Sequence, residues 1–200
     1  MPSIAFLLKP SALLDQELKS LKARIGSIAG EYIQLRHHEP HLTLYLAEFT
    51  GPVNANAITA ALPPIPKIDF SLKGWRVFEE RGEKVLTCQL EENPQLSRLQ
   101  LSLVDALAPF KSKKLSPCWD AFEFGDAEKE NLAKYGAPYV GSNWIPHLTV
   151  ASLLPDAFDA VWPEVENDCP TGVHSFVELQ ATLVRGFEQI GELFSIQVRL

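Results

Sequence analysis

The chain has 200 residues, of which 46% are hydrophobic and 22% charged, and its formal net charge is −7. That length and apolar content are enough for one sizeable core, as a single domain or two tightly packed lobes, and they exclude a disordered chain. The acidic balance argues against a broad, sequence-independent grip on duplex nucleic acid, which needs many Lys and Arg contacts to phosphate. A small nucleotide, or the end of a short RNA, needs only one or two local donors.

Met1-Pro2-Ser3 and the short apolar run after it lack a basic leader, a small-residue cleavage site and membrane-spanning length, so a cytoplasmic protein is expected. Cys88, Cys118 and Cys169 are widely spaced and odd in number, which argues against a disulfide framework and a thiolate zinc site. Ile4 to Leu8 reads as a buried strand. Pro10-Ser11 then opens a helix with Leu14, Leu18, Leu21 and Ile25 on one face, ended by Gly26 or Gly30. A strand over 41–48 follows, then a short helix over 53–62 stopped by Pro63-Pro64, then a strand over 68–78 with Ile68, Phe70 and Leu72 alternating. The Arg81-Gly82-Glu83 turn leads to a strand over 84–90. Asn93-Pro94 supplies an N-cap and first helical residue for a helix carrying Leu96, Leu99, Leu103 and Leu107.

The connection from Phe110 to Ile145 exceeds the usual loop length. It holds Trp119, Phe122, Phe124, Tyr135, Tyr139 and Trp144, the basic cluster Lys111, Lys113 and Lys114, and a short helix over 126–135 ended by Gly136. It reads equally as a flap that stacks a base and attracts a phosphate, with Trp144 a candidate for the stacking, or as a subsidiary hydrophobic cluster with solvated charges. A strand from 147, a helix over 155–162 limited by Pro163, a strand over 174–184 and a closing strand over 192–199 complete the chain. The later elements repeat the earlier order at an offset of 147 − 41 = 106 residues. This predicts one bilobal domain over 1–200, built from a βαβαβ unit used twice, over about 3–80 and 84–184, with the 110–145 insertion between.

The strongest signal is a run that occurs twice: Pro40-His41-Leu42-Thr43-Leu44 and Pro146-His147-Leu148-Thr149-Val150. Background frequencies put one His-apolar-Thr-apolar run in roughly a few per cent of chains this long, and two behind a proline in far fewer. On a strand, His41 and Thr43 project to one side while Leu42 and Leu44 pack on the other, and the second copy reads alike. Two imidazoles and two hydroxyls around one cleft give two proton-transfer groups and two hydrogen-bond donors, the set that phosphoryl chemistry needs. The alternative is a pair of structural histidines satisfied within the core, which the duplication disfavours.

The paired motifs and the approach Tyr135-Gly136-Ala137-Pro138-Tyr139-Val140-Gly141-Ser142-Asn143-Trp144-Ile145-Pro146 resemble the two-histidine (2H) phosphoesterase superfamily, which contains bacterial RNA 2′,3′-cyclic phosphodiesterases, also called 2′-5′ RNA ligases. The resemblance implies a pseudo-symmetric α/β (α+β) fold, with two mostly antiparallel sheets flanking a central cleft and helices outside. It also implies hydrolysis of 2′,3′-cyclic phosphates of RNA ends or small nucleotides to 2′-phosphates, with reverse 2′-5′ ligation. His41 and His147 would serve as acid and base, and Thr43 and Thr149 as phosphoryl donors. No cofactor or metal is called for, no membrane or extended duplex is a partner, and a monomer is expected. Cleavage of linear 2′-5′ oligonucleotides and a non-catalytic nucleotide-binding module are the rival readings.

Further candidates are Tyr45, expected on the face of His41 and Thr43 but also a plausible core aromatic. Lys9 and Arg185, each ending a strand, are phosphate ligands or surface ion-pair members. Ala151 stands where the first motif has Tyr45, so the base or ribose is expected towards the first lobe. His37-His38-Glu39-Pro40-His41 lacks the helical spacing of a zinc-protease run, and Pro40 breaks a helix there. His174 reads as structural.

Overall fold

The computed structural model describes residues 2–30, 33–34, 38–186 and 188–198. His37 of the histidine-rich run and Arg199 at the end of the expected closing strand lie outside the described residues. Strand β1 (Ser3–Pro10) is buried on both faces, as its unbroken apolar run requires. Helix α1 (Ala12–Ala29) lays Leu14, Leu18, Leu21 and Ile25 on the core, each burial being worth about 1.5–3 kcal/mol. Gly30 ends it at a φ of 61°. The short β2 (Ile33–Gln34) precedes β3 (Leu42–Glu48), α2 (Ala55–Ala61), β4 (Asp69–Glu80) and β5 (Glu83–Leu90). Between β4 and β5, Arg81 and Gly82 both take positive φ, 53° and 78°, the backbone of a type I′ hairpin.

Helix α3 (Pro94–Leu107) starts as its sequence dictates: Asn93 Oδ1 accepts from the amides of Gln95 and Leu96 at 3.0 and 3.1 Å, and Pro94 fills the first turn. Such a cap contributes about 1 kcal/mol. The long connection is ordered. Three 3₁₀ turns (Ala108–Phe110, Pro117–Trp119 and Gly141–Asn143) surround α4 (Asp126–Tyr135), which Gly136 caps in the left-handed region at φ 73°. Trp119 packs against Phe122, Phe124 and Tyr139 with ring centroids 6.0–6.5 Å apart, so these rings form a subsidiary core. Strand β6 (His147–Leu153), α5 (Pro155–Val165), β7 (Val173–Arg185) and β8 (Glu188–Gln197) complete the order.

Two boundaries differ from expectation by three residues or more. Helix α5 runs through Pro163, which is exposed in its last turn, where the ring deletes only the bond to the Asp159 carbonyl. Strand β8 begins at Glu188 rather than 192. Its mostly exposed outer residues carry no apolar alternation, and the hairpin pairing Arg185↔Glu188 and Val184↔Gln189 fixes them instead.

Every strand pairing is antiparallel, in a mixed α/β architecture. β1 lies between β3 and β7, and β5 lies between β6 and β4. Thus β4 leaves the strands that precede it to pair with β5, and β7 crosses back to pair with β1. The two groups join where Leu42 of β3 meets Leu148 of β6, and where 69–71 of β4 meet 173–175 of β7. Helices α1 and α5 pack together over β6 and β5, while α3 packs against β3. No helix among the described residues is long and apolar enough to cross a membrane.

Candidate active site

Both His-x-Thr runs converge at the Leu42↔Leu148 pair. Antiparallel register sets His41 across from Thr149, and Thr43 across from His147. Because Leu42 and Leu148 are buried on one side, at 1% and 0% exposure, the two histidines and two threonines project together on the other. Directly opposed residues have Cβ atoms about 5 Å apart and diagonal ones about 7 Å, so the two histidines flank a space of phosphoryl size. All four side chains are half-buried.

The same irregularity follows each threonine. Between β1 and β3, Phe6 pairs with Tyr45 but Leu7 with Thr43, so Leu44 is an extra residue. Between β5 and β6, Leu86 pairs with Ala151 but Thr87 with Thr149, so Val150 is extra. These are β-bulges, which locally reverse the alternation of faces. Tyr45 therefore does not share the face of His41 and Thr43. It stacks on Phe6 and donates its hydroxyl to the Tyr135 carbonyl at 2.5 Å, on the side away from the histidines. Ala151 is likewise turned away, so the contrast between Tyr45 and Ala151 says nothing about which lobe receives a base.

Each imidazole is fixed in the same way. His41 Nδ1 lies 2.7 Å from the Glu39 carbonyl and His147 Nδ1 lies 2.7 Å from that of Ile145, each across the intervening proline. A carbonyl only accepts, so Nδ1 carries the hydrogen in both rings, and Nε2 is left with a lone pair when the ring is neutral. Burial holds the His41 pKa down to about 3, and the charges of Lys9, Lys22 and His38 add to this against the Glu39 carbonyl bond. Burial lowers the His147 pKa too, with Arg76 adding to it and the Ile145 carbonyl opposing. Both rings sit in cationic surroundings that an oxyanion would neutralise.

Lys9, half-buried, follows Leu7 on the histidine side of β1 and acts on His41, so it stands at this site. Arg185 does not. It ends β7 beside the Ser3 end of β1, four to five residues from the Leu7–Thr43 pair, about 15 Å along the strand. Trp144 lies beside the first motif, its indole N–H donating to the Thr43 carbonyl at 3.1 Å. His174 packs on Phe70 and bonds the Thr171 carbonyl, remote from the motifs.

Four residues escape sequence reading. Arg76 and Phe78 come from β4, with the guanidinium 4.9 Å from the Phe78 ring centre and that ring 5.1 Å from His147. Lys22, at 6% exposure, donates to the His38 carbonyl at 2.6 Å and so braces the turn that carries His41. Lys19 reaches the same turn through an ion pair with Glu39. A signal for Lys22 did exist, since it falls four residues after Leu18 and three before Ile25, on the apolar face of α1. Among the described residues no group of three His, Cys, Asp or Glu gathers as metal ligands. The arrangement is able to donate and accept protons at two points around one anion and to bond its oxygens from two hydroxyls.

A model of the 2′-5′ RNA ligase superfamily matches residues 10–181 of the chain. Solved structures share the fold. An Escherichia coli LigT structure complexed with 3′-AMP is 18% identical with a TM-score of 0.54, covering 100% of both chains. A LigT structure complexed with NADP+ is 15% identical at 0.55, covering 100% of this chain and 98% of that one. TT0787 of Thermus thermophilus is 12% identical at 0.60, covering 100% and 98%. No curated protein matches the chain.

Proposed function

The chain belongs to the 2′-5′ RNA ligase superfamily, and on that premise we propose that it is a phosphodiesterase that opens 2′,3′-cyclic phosphates at RNA ends or on small nucleotides, leaving a 2′-phosphate. The observation that carries the reading is the convergence of His41, Thr43, His147 and Thr149 on one face, with both imidazoles tied through Nδ1 to the carbonyl two residues before them.

One neutral imidazole takes a proton from water at Nε2 as the water oxygen bonds phosphorus. The bond from phosphorus to the 3′ oxygen breaks, and the other imidazole, protonated, gives that oxygen its proton. The Thr43 and Thr149 hydroxyls bond the non-bridging oxygens, whose charge grows in the pentavalent species. With the 5′ hydroxyl of a second RNA in place of water, the same two proton transfers open the cyclic phosphate into a 2′-5′ linkage and free the 3′ hydroxyl, which is ligation. Lys9 and Arg76 favour the arriving anion, and Trp144 and Phe78 offer apolar walls for ribose and base. Acid, base and charge stabilisation all come from side chains, so a metal is not required. LigT is known in complex with phosphate, 3′-AMP and ATP, ligands that share a phosphate with the proposed substrate.

The test is release of nucleoside 2′-phosphate from 2′,3′-cyclic mononucleotides and from RNA with a cyclic end, in EDTA, for the native chain and for His41→Ala and His147→Ala. EDTA-resistant turnover lost in both variants is expected. Turnover on linear 2′-5′ oligonucleotides alone would replace the substrate, and nucleotide binding without any turnover would replace the enzyme with a binding module.

A further inference from the structure

The long connection between α3 and β6 carries a second cationic feature, separate from the histidine cleft. Lys111, Ser112 and Lys113 and, from α4, Lys129 line a pocket of about 460 Å³ together with Leu115, Leu132 and Ala133. The 110–145 segment is charge-balanced, with Lys111, Lys113, Lys114, Lys129 and Lys134 against Asp120, Glu123, Asp126, Glu128 and Glu130. Yet none of the three pocket lysines forms an ion pair among the described residues, although other Lys and Arg side chains pair with carboxylates elsewhere. Three lysines around one concavity in a protein of net charge −7 make a local positive field that favours an anion.

The connection that carries the pocket is tied to β3 by two bonds, neither from a residue that lines the pocket. The Tyr45 hydroxyl holds the last residue of α4, Tyr135, and the Trp144 indole holds the Thr43 carbonyl. Lys111 itself bridges to Phe49, and the neighbouring amide of Ser112 donates to the Glu48 carbonyl at 2.8 Å. Phe49 lies six residues beyond Thr43, so the pocket and the motif are separated by about 20 Å along β3. A mononucleotide does not span that distance, and a short oligonucleotide does. Resting on the phosphodiesterase reading above, we propose that the Lys111–Lys113–Lys129 pocket binds a backbone phosphate of RNA several nucleotides away from the reacting end, with Leu115, Leu132 and Ala133 meeting the sugar or base. It is a length-reading subsite: it distinguishes an RNA end from a free cyclic nucleotide.

The experiment compares Lys113→Glu/Lys129→Glu with the native chain. Lys111 is left in place because its stem packs where a side chain on Gly136 would stand, at 3.0 Å. Turnover is measured on a 2′,3′-cyclic mononucleotide and on RNAs of two and eight nucleotides ending in the cyclic phosphate. Binding of the same RNAs ending in a 2′-phosphate is measured in parallel by anisotropy, with inorganic phosphate as competitor. The variant is expected to keep the mononucleotide and dinucleotide values and to lose about tenfold in kcat/KM and affinity on the eight-mer. The salt slope of eight-mer binding is expected to flatten by about 0.7 for each phosphate that the variant no longer neutralises. Equal affinity of the native chain for two- and eight-mers, or an equal loss on all substrates, overturns the subsite. Loss of inorganic phosphate binding with eight-mer affinity unchanged also overturns it, assigning the pocket to a small anion. If no cyclic phosphate is turned over, the phosphodiesterase reading fails, while the anisotropy series still decides the subsite.

Discussion

The cations around the two imidazoles turn anion binding into proton uptake. His41, with a pKa of about 3 in the ligand-free protein, is neutral at pH 7, because burial and the charges of Lys9 and Lys22 disfavour imidazolium. To act as an acid near neutrality it must be lifted by about four units, on the order of 5 kcal/mol at 1.36 kcal/mol per unit. An oxyanion between the motifs is the group able to supply this, although a half-buried ring is partly screened and part of that lift is lost to solvent. Linkage then requires the anion to bind more tightly as pH falls, by up to tenfold per unit for one proton taken up. Sulfate is the suitable probe, since it stays a dianion throughout. Calorimetric titration of sulfate in two buffers of different ionisation heat gives the protons taken up per anion. The pH of half-uptake is expected between about 5 and 7 and reads the lifted pKa directly. His41→Asn should lose one of the protons. Sulfate affinity independent of pH from 5 to 8, with no uptake, would refute the cationic-field account of the site.

Three other outcomes follow from the same geometry. Replacing Lys22 by Met removes a buried ammonium whose pKa burial lowers from 10.5 to about 8, together with its 2.6 Å bond to His38. About 3 kcal/mol of charge-burial cost is relieved against about 1–2 kcal/mol of lost hydrogen bond, so the melting temperature should rise slightly while kcat falls at least tenfold as the His41 turn loosens. A fall in both, or in neither, would contradict this. Tyr45→Phe should cost about 1 kcal/mol by thermal melting, through its bond to the Tyr135 carbonyl, and leave KM for a cyclic mononucleotide unchanged. A tenfold KM rise would return Tyr45 to the cleft. Finally, both histidines have folded pKa values below the ordinary 6.5, so below pH 6.5 the unfolded chain binds more protons than the folded one. Stability is fully present above pH 6.5 and falls as pH drops towards the folded values, at most about 1.4 kcal/mol per unit per histidine, and His41→Asn should flatten the melting-temperature profile between pH 6.5 and 5.

Local chemistry made much of this molecule legible. Asn93-Pro94 announces α3, the Leu14, Leu18, Leu21 and Ile25 stripe announces α1, and Gly136 announces the end of α4, because caps and periodicity act within a few residues. The paired motifs were visible because proline, histidine and threonine recur at a fixed spacing. Residues brought in by pairing were not. Arg76 and Phe78 reach His147 only because the β4–β5 hairpin of the first half of the chain pairs, through β5, with β6 of the second. Arg185 misses the cleft because β7 runs antiparallel to β1 and carries its last residue to the opposite end.

The bulges show why even a correctly placed strand misleads about faces. Strict alternation carries Tyr45 to the side of Thr43, and one extra residue reverses it. The reversal solves a conflict that alternation cannot. Thr43 and Thr149 must face the cleft, yet the core side needs Tyr45 against Phe6 and Ala151 beside Leu86, which lie two residues further on. Inserting Leu44 and Val150, exposed by 1% and 0%, lets each run turn its histidine and threonine to chemistry and the residues that follow to packing. Both copies use the device at the same step, so its origin lies in the shared demand of the two half-sites rather than in either local sequence. Deleting Leu44, the extra residue, should therefore leave Thr43 and Tyr45 on opposite faces by plain alternation with the β1 register intact, and cost stability only through the lost burial of Leu44, whereas Leu44→Val should be tolerated within about 1.5 kcal/mol.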